Sequence, residues 1–245
     1  MTGSENHEQT CDAVIVGAGF AGMYMLHVLR QAGLSVIAFE AGGDVGGTWY
    51  WNRYPGARCD TESLFYSYQF DEALQQDWNW TERYPAQPEI LHYAQHVAHR
   101  FDLKRDINFN TKITDALWDE PAQLWTISTD TGEHNRCRFF ISAVGCLSAV
   151  NMPDIDGLDD FKGERYQTGL WPREDVDFRN KTVAVIGTGS SAIQSIPVIT
   201  EQARHVTVFQ RTANYVVPAQ NRPLDPAAVA KIKADYPAFR AKAKA

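Results

Sequence analysis

Residues 11–22 read CDAVIVGAGFAG, and residues 182–192 read TVAVIGTGSSA. In each stretch an apolar run typical of a buried strand leads into a glycine loop, GxGxxG or GxGxxA, which opens a helix. The glycines allow a tight turn and a close approach to a pyrophosphate, whose charge is stabilised by N–H groups at the helix N-terminus. One such loop is weak evidence. Two in the same strand–helix–strand context predict an α/β fold with two Rossmann-like dinucleotide-binding units.

A second strand follows each loop after about 20 residues, and the polar residue at its end differs in charge. In SVIAFE, residues 35–40, that residue is Glu40, whereas VTVFQR, residues 206–211, ends at Arg211. A carboxylate here accepts hydrogen bonds from a ribose diol, while a guanidinium pairs with a 2′-phosphate. The two loops therefore predict one unphosphorylated dinucleotide and one NADP, and the usual combination is FAD with NADPH.

The composition narrows the class of protein. A length of 245 residues leaves room for one large or two modest domains, and the net charge of −7 offers no basic surface to a nucleic acid. Polar residues 1–10 predict a disordered leader, and no apolar run approaches the roughly 20 residues of a membrane span. Four cysteines without CxxC spacing favour free thiols in a reducing cytoplasm.

The order of elements predicts the domain organisation. After the leader we expect an FAD-binding domain at 11–145, a linker at 146–180, the start of an NADP-binding domain at 181–222 and the start of a helical segment at 223–245. Only two convincing strands follow residue 180, whereas sheets of this kind usually have about five or six. We therefore expect the second unit to be incomplete, because the chain ends inside it or because a partner chain completes it.

Two further stretches carry a family resemblance. Residues 46–60 read GGTWYWNRYPGARCD, and residues 161–172 read FKGERYQTGLWP. The first is similar to a signature of type I Baeyer–Villiger monooxygenases, and the second resembles the FxGxxxHxxxWP signature of the same family, with Gln167 in place of its histidine. The resemblance extends from Asp12 to the last helix and is strongest to phenylacetone, steroid and cyclohexanone monooxygenases. It implies that NADPH reduces FAD and that one oxygen atom of dioxygen is inserted beside a ketone carbonyl, giving an ester or lactone.

The resemblance implies roles for individual residues. Those expected to contact FAD are Gly17, Gly19, Phe20, Ala21, Gly22, Glu40, Gly47, Thr48, Trp49, Tyr66 and Ile113, although core packing explains Tyr66 and Ile113 equally well. Those expected to contact NADP are Arg58, Thr188, Gly189, Ser190, Ser191, Gln194, Arg211 and Thr212.

Asp60 is the expected catalytic residue. The resemblance implies that it lies beside the flavin and pairs with an active-site arginine, and no arginine of this chain stands in a matching context. A turn-capping aspartate after Pro55-Gly56 is the structural alternative. Because Gln167 cannot carry a proton charge as histidine can, we also expect weaker coupling of NADPH oxidation to oxygenation.

Other functions remain open at this point. A flavin enzyme that oxygenates nitrogen or sulfur shares the two glycine loops, and a catalytically incomplete nucleotide-binding fragment is the non-enzymatic alternative. His92, His96 and His99 recur on one face of a predicted helix at 88–103. No carboxylate or cysteine motif joins them, so we expect a solvated helix face and no metal site.

Overall fold

The computed structural model describes residues 8–242, with side chains from Thr10 onward. Within this range the eight strands are β1 Glu8–Val16, β2 Val36–Glu40, β3 Ile107–Phe109, β4 Ile113–Asp119, β5 Leu124–Thr129, β6 His134–Ser142, β7 Thr182–Ile186 and β8 His205–Phe209. The described residues form seven α-helices, α1 Phe20–Gln31, α2 Thr48–Trp51, α3 Glu72–Asp77, α4 Gln87–Arg100, α5 Ser190–Gln202, α6 Pro226–Ala234 and α7 Tyr236–Lys242. Since β1 begins at Glu8, the last three residues of the expected leader are in a strand, and residues 1–7 lie outside the described part.

The chain divides into two compact units, each made of two separate segments. The first combines Met1–Trp51 with Ala94–Glu164, and the second combines Asn52–Tyr93 with Arg165–Ala245. The predicted organisation was linear along the chain, whereas residues 52–93 group with the second glycine loop. The predicted nucleotide-binding domain bounds stay predictions.

The first unit is built on a six-stranded sheet of order β3-β2-β1-β6-β5-β4. Strands β3, β2, β1 and β6 run parallel, while β6, β5 and β4 pair in antiparallel fashion. Helix α1 connects β1 to β2, as a parallel pair requires a crossover connection. This arrangement confirms the predicted strand–helix–strand unit around the first glycine loop.

Both faces of β1 are buried, which explains its uninterrupted apolar sequence. Ala13 and Ile15 are fully buried in a cluster with Met23 and Leu26 of α1. Val14 points to the opposite face and packs against Phe39, Ile127 and the thiols of Cys11 and Cys137. Truncating a fully buried leucine such as Leu26 to alanine costs about 2–5 kcal/mol. The first glycine loop therefore follows directly after a strand that the core holds in position.

The second unit has the same local pattern on a smaller sheet. Within residues 8–242, β7 pairs in parallel with β8 alone, and α5 connects them. Ile186 is 70% exposed and Phe209 56% exposed, although both lie in apolar strands. A Cβ placed on Gly187 meets no atom within 4 Å. The second Rossmann-like unit is thus incomplete in the described part of the chain, as predicted from the strand count.

The helical segment predicted at 223–245 contains two helices in the described part of the chain. Helix α6 ends at Ala234 and α7 begins at Tyr236. Pro237 has no N–H to donate to the Lys233 carbonyl four residues earlier, and its ring would collide with that carbonyl. The Lys233 oxygen instead accepts a hydrogen bond from Gln76 Nε2 at 2.7 Å. Pro237 therefore explains why the helical segment is interrupted between α6 and α7.

Candidate functional site: two dinucleotide loops

The first glycine loop is packed so tightly that only glycine fits at two positions. Gly17 has φ of +100°, and a Cβ there would lie 2.6 Å from the Ala143 carbonyl oxygen at the end of β6. A Cβ on Gly22 would lie 1.8 Å from the Gly17 carbonyl oxygen. The Gly17 N–H donates to the Phe39 carbonyl at 2.8 Å, which continues the β1–β2 pairing into the loop. Strand, loop and helix are consequently held as one body.

The N-terminus of α1 is available for an anion. Gly19 is its N-cap with extended backbone, no side chain caps the helix, and its first turn contains no acidic residue. N–H groups at a helix N-terminus and the helix dipole stabilise a phosphate group. Phe20, Ala21 and Gly22 form this first turn, so their backbone is where a pyrophosphate fits.

Glu40 lies at the carboxyl end of β2 and is 5% exposed. Its Oε2 accepts the Ala18 N–H at 2.8 Å, and its Oε1 accepts the Gly42 N–H at 2.7 Å. A carboxylate offers about four acceptor positions, so two remain for further donors. Glu40 therefore connects the glycine loop to the end of β2 and keeps acceptor capacity for a ribose diol.

The predicted flavin-contacting segment lies against the first glycine loop. The Gly46 N–H donates to the Ala18 carbonyl at 3.0 Å. Gly47 has φ of +54°, and a Cβ there would lie 2.8 Å from Gly19 Cα. Trp49 is buried in α2, which begins at Thr48. The structure thus brings together Gly17–Gly22, Glu40 and Gly47–Trp49 in the first unit.

Tyr50 supports this site, although no sequence motif indicated a role for it. It is 6% exposed, and its hydroxyl oxygen accepts the Gly43 N–H at 2.8 Å. Its Cε1 atom would lie 2.5 Å from a Cβ on Gly42. Tyr50 therefore requires glycine at position 42 and fixes the loop between β2 and α2. The adjacent glycines in AGGDVGG were the available signal.

Asp44 anchors the same loop to the helical side of the first unit. The Lys104 Nζ lies 2.6 Å from Asp44 Oδ1, and Gln95 Nε2 donates to Asp44 Oδ2 at 2.9 Å. Burial raises the pKa of Asp44, but hydrogen bonds from Lys104, the Val45 N–H and Gln95 outweigh it and leave the pKa lowered. The carboxylate is therefore the stable form in this position.

Ile113 lies at the start of β4 and packs against the cluster that contains Val14 and Phe39. Two residues earlier, the Thr111 N–H donates to the Glu40 carbonyl at 3.0 Å. Its expected contact with FAD stays a prediction, and its side chain packs in the core.

The second glycine loop has the same backbone form with more open surroundings. Gly187 has φ of +102°, and its N–H donates to the Phe209 carbonyl at 2.8 Å. Gly189 is the N-cap of α5, which no side chain caps and whose first turn lacks an acidic residue. Thr188 Oγ1 accepts Gln210 Nε2 at 2.9 Å, which ties the loop to the end of β8. A Cβ on Gly189 would meet nothing within 4 Å.

The residues predicted to recognise phosphate are exposed or half-buried. Ser190 is exposed and Ser191 half-buried in the first turn of α5, while Arg211 and Thr212 begin a segment, 211–220, whose residues are all exposed. The Asn214 side chain donates to the Thr188 carbonyl at 2.9 Å, which returns this segment to the glycine loop. Arg211 thus belongs to a segment that the Asn214–Thr188 hydrogen bond holds beside the glycine loop at the α5 N-terminus.

Three predicted residues of the second unit lie outside its glycine loop. Asp60 is exposed, and Tyr66 is half-buried with its N–H bonded to the Glu62 carbonyl at 3.0 Å. Arg58 forms an ion pair with Glu82 at 3.2 Å and donates to the Tyr84 carbonyl at 3.3 Å. The Arg58 side chain is therefore already oriented, whereas Asp60 faces solvent.

The side-chain amide of Gln194 bonds to Tyr54 and to the backbone of Arg58. Its expected contact with NADP stays a prediction. Nothing in the sequence links these positions, since 136 residues separate Arg58 from Gln194.

Gln167 has a local structural role. Its side-chain oxygen accepts the Gly169 N–H, and its carbonyl accepts the Leu170 N–H at 2.9 Å, at the start of a short 3₁₀ turn. Glutamine thus caps a turn at the position where the family signature has histidine.

Residues 8–242 contain no candidate metal site and no candidate membrane-spanning helix. No group of three or more His, Cys, Asp or Glu side chains there could hold a metal ion. None of the helices in that range combines the length and the apolar character needed to cross a bilayer.

The comparison with known proteins places the chain in a family. Residues 14–235 match the pyridine nucleotide-disulphide oxidoreductase family. A Baeyer–Villiger monooxygenase of Pseudooceanicola batsensis is 49% identical over 92% of this chain and 41% of its own length. Phenazine N-monooxygenase PhzNO1 of Lysobacter antibioticus is 47% identical over 95% of this chain and 43% of its own length.

Solved structures agree with these relatives. An oxidized steroid monooxygenase bound to NADP matches with a TM-score of 0.90 at 56% identity, over 93% of this chain and 44% of that chain. The chain thus spans about two fifths of the length of the curated relatives it matches. It belongs to the pyridine nucleotide-disulphide oxidoreductase family and is a homologue of the Baeyer–Villiger monooxygenases.

Proposed function

We propose that this chain carries the FAD and NADPH sites of a Baeyer–Villiger monooxygenase, which inserts one oxygen atom of dioxygen beside a ketone carbonyl. The observation that carries the proposal is the pair of glycine loops at uncapped helix N-termini, followed by Glu40 in one unit and Arg211 in the other. Opposite charges at equivalent positions select different dinucleotides.

The first unit fits FAD. Its α1 N-terminus offers backbone N–H groups to a pyrophosphate, the close packing at Gly17 and Gly22 keeps side chains away, and Glu40 retains acceptors for the adenosine ribose. Gly47, Thr48 and Trp49 would hold the ring system. When bound, FAD supplies the redox chemistry and the activation of dioxygen.

The second unit fits NADPH. Thr188, Gly189, Ser190 and Ser191 would surround the pyrophosphate at the start of α5, and Arg211 with Thr212 would hold the 2′-phosphate. A guanidinium binds phosphate through two parallel hydrogen bonds, so Arg211 favours NADPH over NADH.

Asp60 and Arg58 are the residues proposed to act near the reacting groups. The carboxylate of Asp60 is exposed and would orient a cationic partner, while the Glu82 ion pair keeps the Arg58 guanidinium in one place. The partner arginine expected beside Asp60 has no matching context in this sequence. Oxygenation of a ketone is therefore proposed for the whole protein, with these units as its nucleotide-binding part.

Oxygenation at nitrogen is the second candidate function. A phenazine N-monooxygenase matches at 47% identity, close to the 49% of the Baeyer–Villiger relative. Both reactions use the same cofactor sites, so the substrate decides between them. Product analysis with a ketone and with a phenazine distinguishes the two.

A complementing chain and a cytoplasmic location complete the proposal. Ile186 and Phe209 expose apolar surface on the two-stranded sheet, which favours a further segment or chain against it. Cys11, Cys59, Cys137 and Cys146 are all free thiols, which suits a reducing compartment.

Titration of the purified chain tests the nucleotide sites separately. FAD binding is followed by flavin fluorescence, and NADP⁺ and NAD⁺ are compared by calorimetry. We expect FAD to bind and NADP⁺ to bind at least about tenfold more tightly than NAD⁺, as expected for a charged phosphate contact. Equal affinity for NADP⁺ and NAD⁺ would remove the basis for assigning the second site.

A further inference from the structure

The Gln194 side-chain amide makes three hydrogen bonds to the loop Tyr54–Arg58. The Tyr54 hydroxyl donates to Gln194 Oε1 at 2.9 Å, and the Arg58 N–H donates to the same atom at 3.3 Å. Gln194 Nε2 donates to the Arg58 carbonyl at 3.0 Å. The amide thus meets both backbone groups of Arg58 as a neighbouring antiparallel strand would. This pairing fixes the amide orientation, because the flipped amide would face donor to donor and acceptor to acceptor.

Gly56 brings the loop directly onto the helix backbone. Its φ is +78°, and a Cβ there would lie 2.2 Å from the Gln194 carbonyl oxygen and 3.1 Å from Val198 Cγ2. No other residue fits such a position without displacing α5. The loop therefore contacts the helix through a glycine as well as through the amide.

The residues on either side of Arg58 are held by a different segment. The Ala57 carbonyl accepts the Gln87 N–H at 2.8 Å, and the Cys59 N–H donates to the Pro85 carbonyl at 3.1 Å. Backbone groups of successive residues in an extended segment point to opposite sides. The N–H and carbonyl of Arg58 consequently point toward α5. There Gln194 Oε1 accepts the N–H and Gln194 Nε2 donates to the carbonyl.

We infer that Gln194 is a positioning residue, whose amide holds the Arg58 backbone on the helix that begins at the second glycine loop. Its effect on reaction rests on the proposed function: NADP phosphates at the α5 N-terminus and the loop that leads to Asp60 are then held by the same helix. A coenzyme that orders α5 would also order Arg58. Because the Gln194 amide is hydrogen-bonded to Tyr54 and Arg58, its side chain contributes little to coenzyme affinity.

Amide hydrogen exchange, followed residue by residue by NMR on the 245-residue chain without coenzyme, tests the contact. Gln194→Met keeps the side-chain length and removes the hydrogen bonds, so the Arg58 amide should exchange roughly 5- to 30-fold faster. The Cys59 amide, bonded to Pro85, should stay within about twofold. Gln202→Met, at the exposed last position of α5, is the matched control and should leave both amides unchanged.

Gln194→Glu is the second variant and tests amide chemistry against shape. One carboxylate oxygen would face the Arg58 carbonyl, so exchange at Arg58 should accelerate as in Gln194→Met. Protection of Arg58 equal to that of the unchanged chain, in either variant, would overturn the inference. Equal acceleration by Gln202→Met would overturn it as well.

NADP⁺ separates positioning from coenzyme contact. In the unchanged chain NADP⁺ should slow exchange at the α5 N-terminus and at Arg58, whereas in Gln194→Met it should slow only the α5 N-terminus. The NADP⁺ Kd of that variant should stay within about threefold, because a lost charged contact would cost about tenfold or more. A larger loss, or slowing at Arg58 that persists, contradicts the positioning role. If the unchanged chain fails to bind NADP⁺, the proposed function fails while the coenzyme-free exchange still decides the contact.

Discussion

Replacing Glu40 with glutamine removes one of the two acceptors that hold the first glycine loop to the end of β2. The Ala18 and Gly42 N–H groups each donate to a separate carboxylate oxygen. A glutamine has one oxygen, so one N–H would face an amide donor in a site that is 5% exposed. An unsatisfied buried donor costs about 1–3 kcal/mol. At about 2–4 °C per kcal/mol for a chain of this size, we expect Tm to fall by roughly 2–12 °C.

The assay compares thermal unfolding of the unchanged chain, Glu40→Gln and Glu133→Gln, with and without FAD. Glu133 is exposed in the same unit, so its variant controls for the loss of one negative charge. FAD should raise Tm of the unchanged chain and of the control by more than it raises Tm of Glu40→Gln, because the ribose loses an acceptor as well. Glu40→Gln that melts with the control, at equal FAD stabilisation, would refute both roles of Glu40.

Three further expectations concern Gly22, Arg211 and Cys11. Gly22→Ala should abolish FAD retention after desalting, because its Cβ would lie 1.8 Å from the Gly17 carbonyl, while Gly33→Ala at φ +79° in open space should retain it. Arg211→Ala should lower the preference for NADP⁺ over NAD⁺ by about tenfold in calorimetry. Burial and the neighbouring Cys137 raise the pKa of Cys11 from 9.0 to about 11. Between pH 9 and pH 11 the folded state therefore keeps a proton that the unfolded state loses. The free energy of unfolding in urea should fall by about 2–3 kcal/mol over this range, and Cys11→Ala should show a smaller fall.

Local patterns in the sequence predicted most of the elements. The apolar runs before Gly17 and Gly187 are β1 and β7, and the helix predicted at 88–103 is observed at Gln87–Arg100. Asp130, Thr131 and Gly132 read as a turn, and they join β5 to β6, where Gly132 adopts φ of +86°. These features depend on residues a few positions apart, which hydrophobic periodicity and turn chemistry capture.

Contacts between residues that are distant in sequence account for the features that local patterns did not predict. The hydrogen bond from Arg58 to Gln194 spans 136 positions, and no periodic pattern marks it. Tyr50 reads as one more apolar residue in a signature, although its hydroxyl fixes the Gly43 backbone. Grouping of residues 52–93 with the second glycine loop depends on tertiary packing of the same kind.

Anaerobic reduction of the reconstituted chain tests the central claim most directly, since it requires both nucleotide sites. After FAD is added and excess removed, the visible flavin absorbance is recorded before and after NADPH, and again with NADH. We predict yellow protein that NADPH bleaches faster than NADH. Protein that stays colourless, or flavin that NADPH and NADH bleach at the same rate, would contradict the assignment of two sites with opposite selectivity.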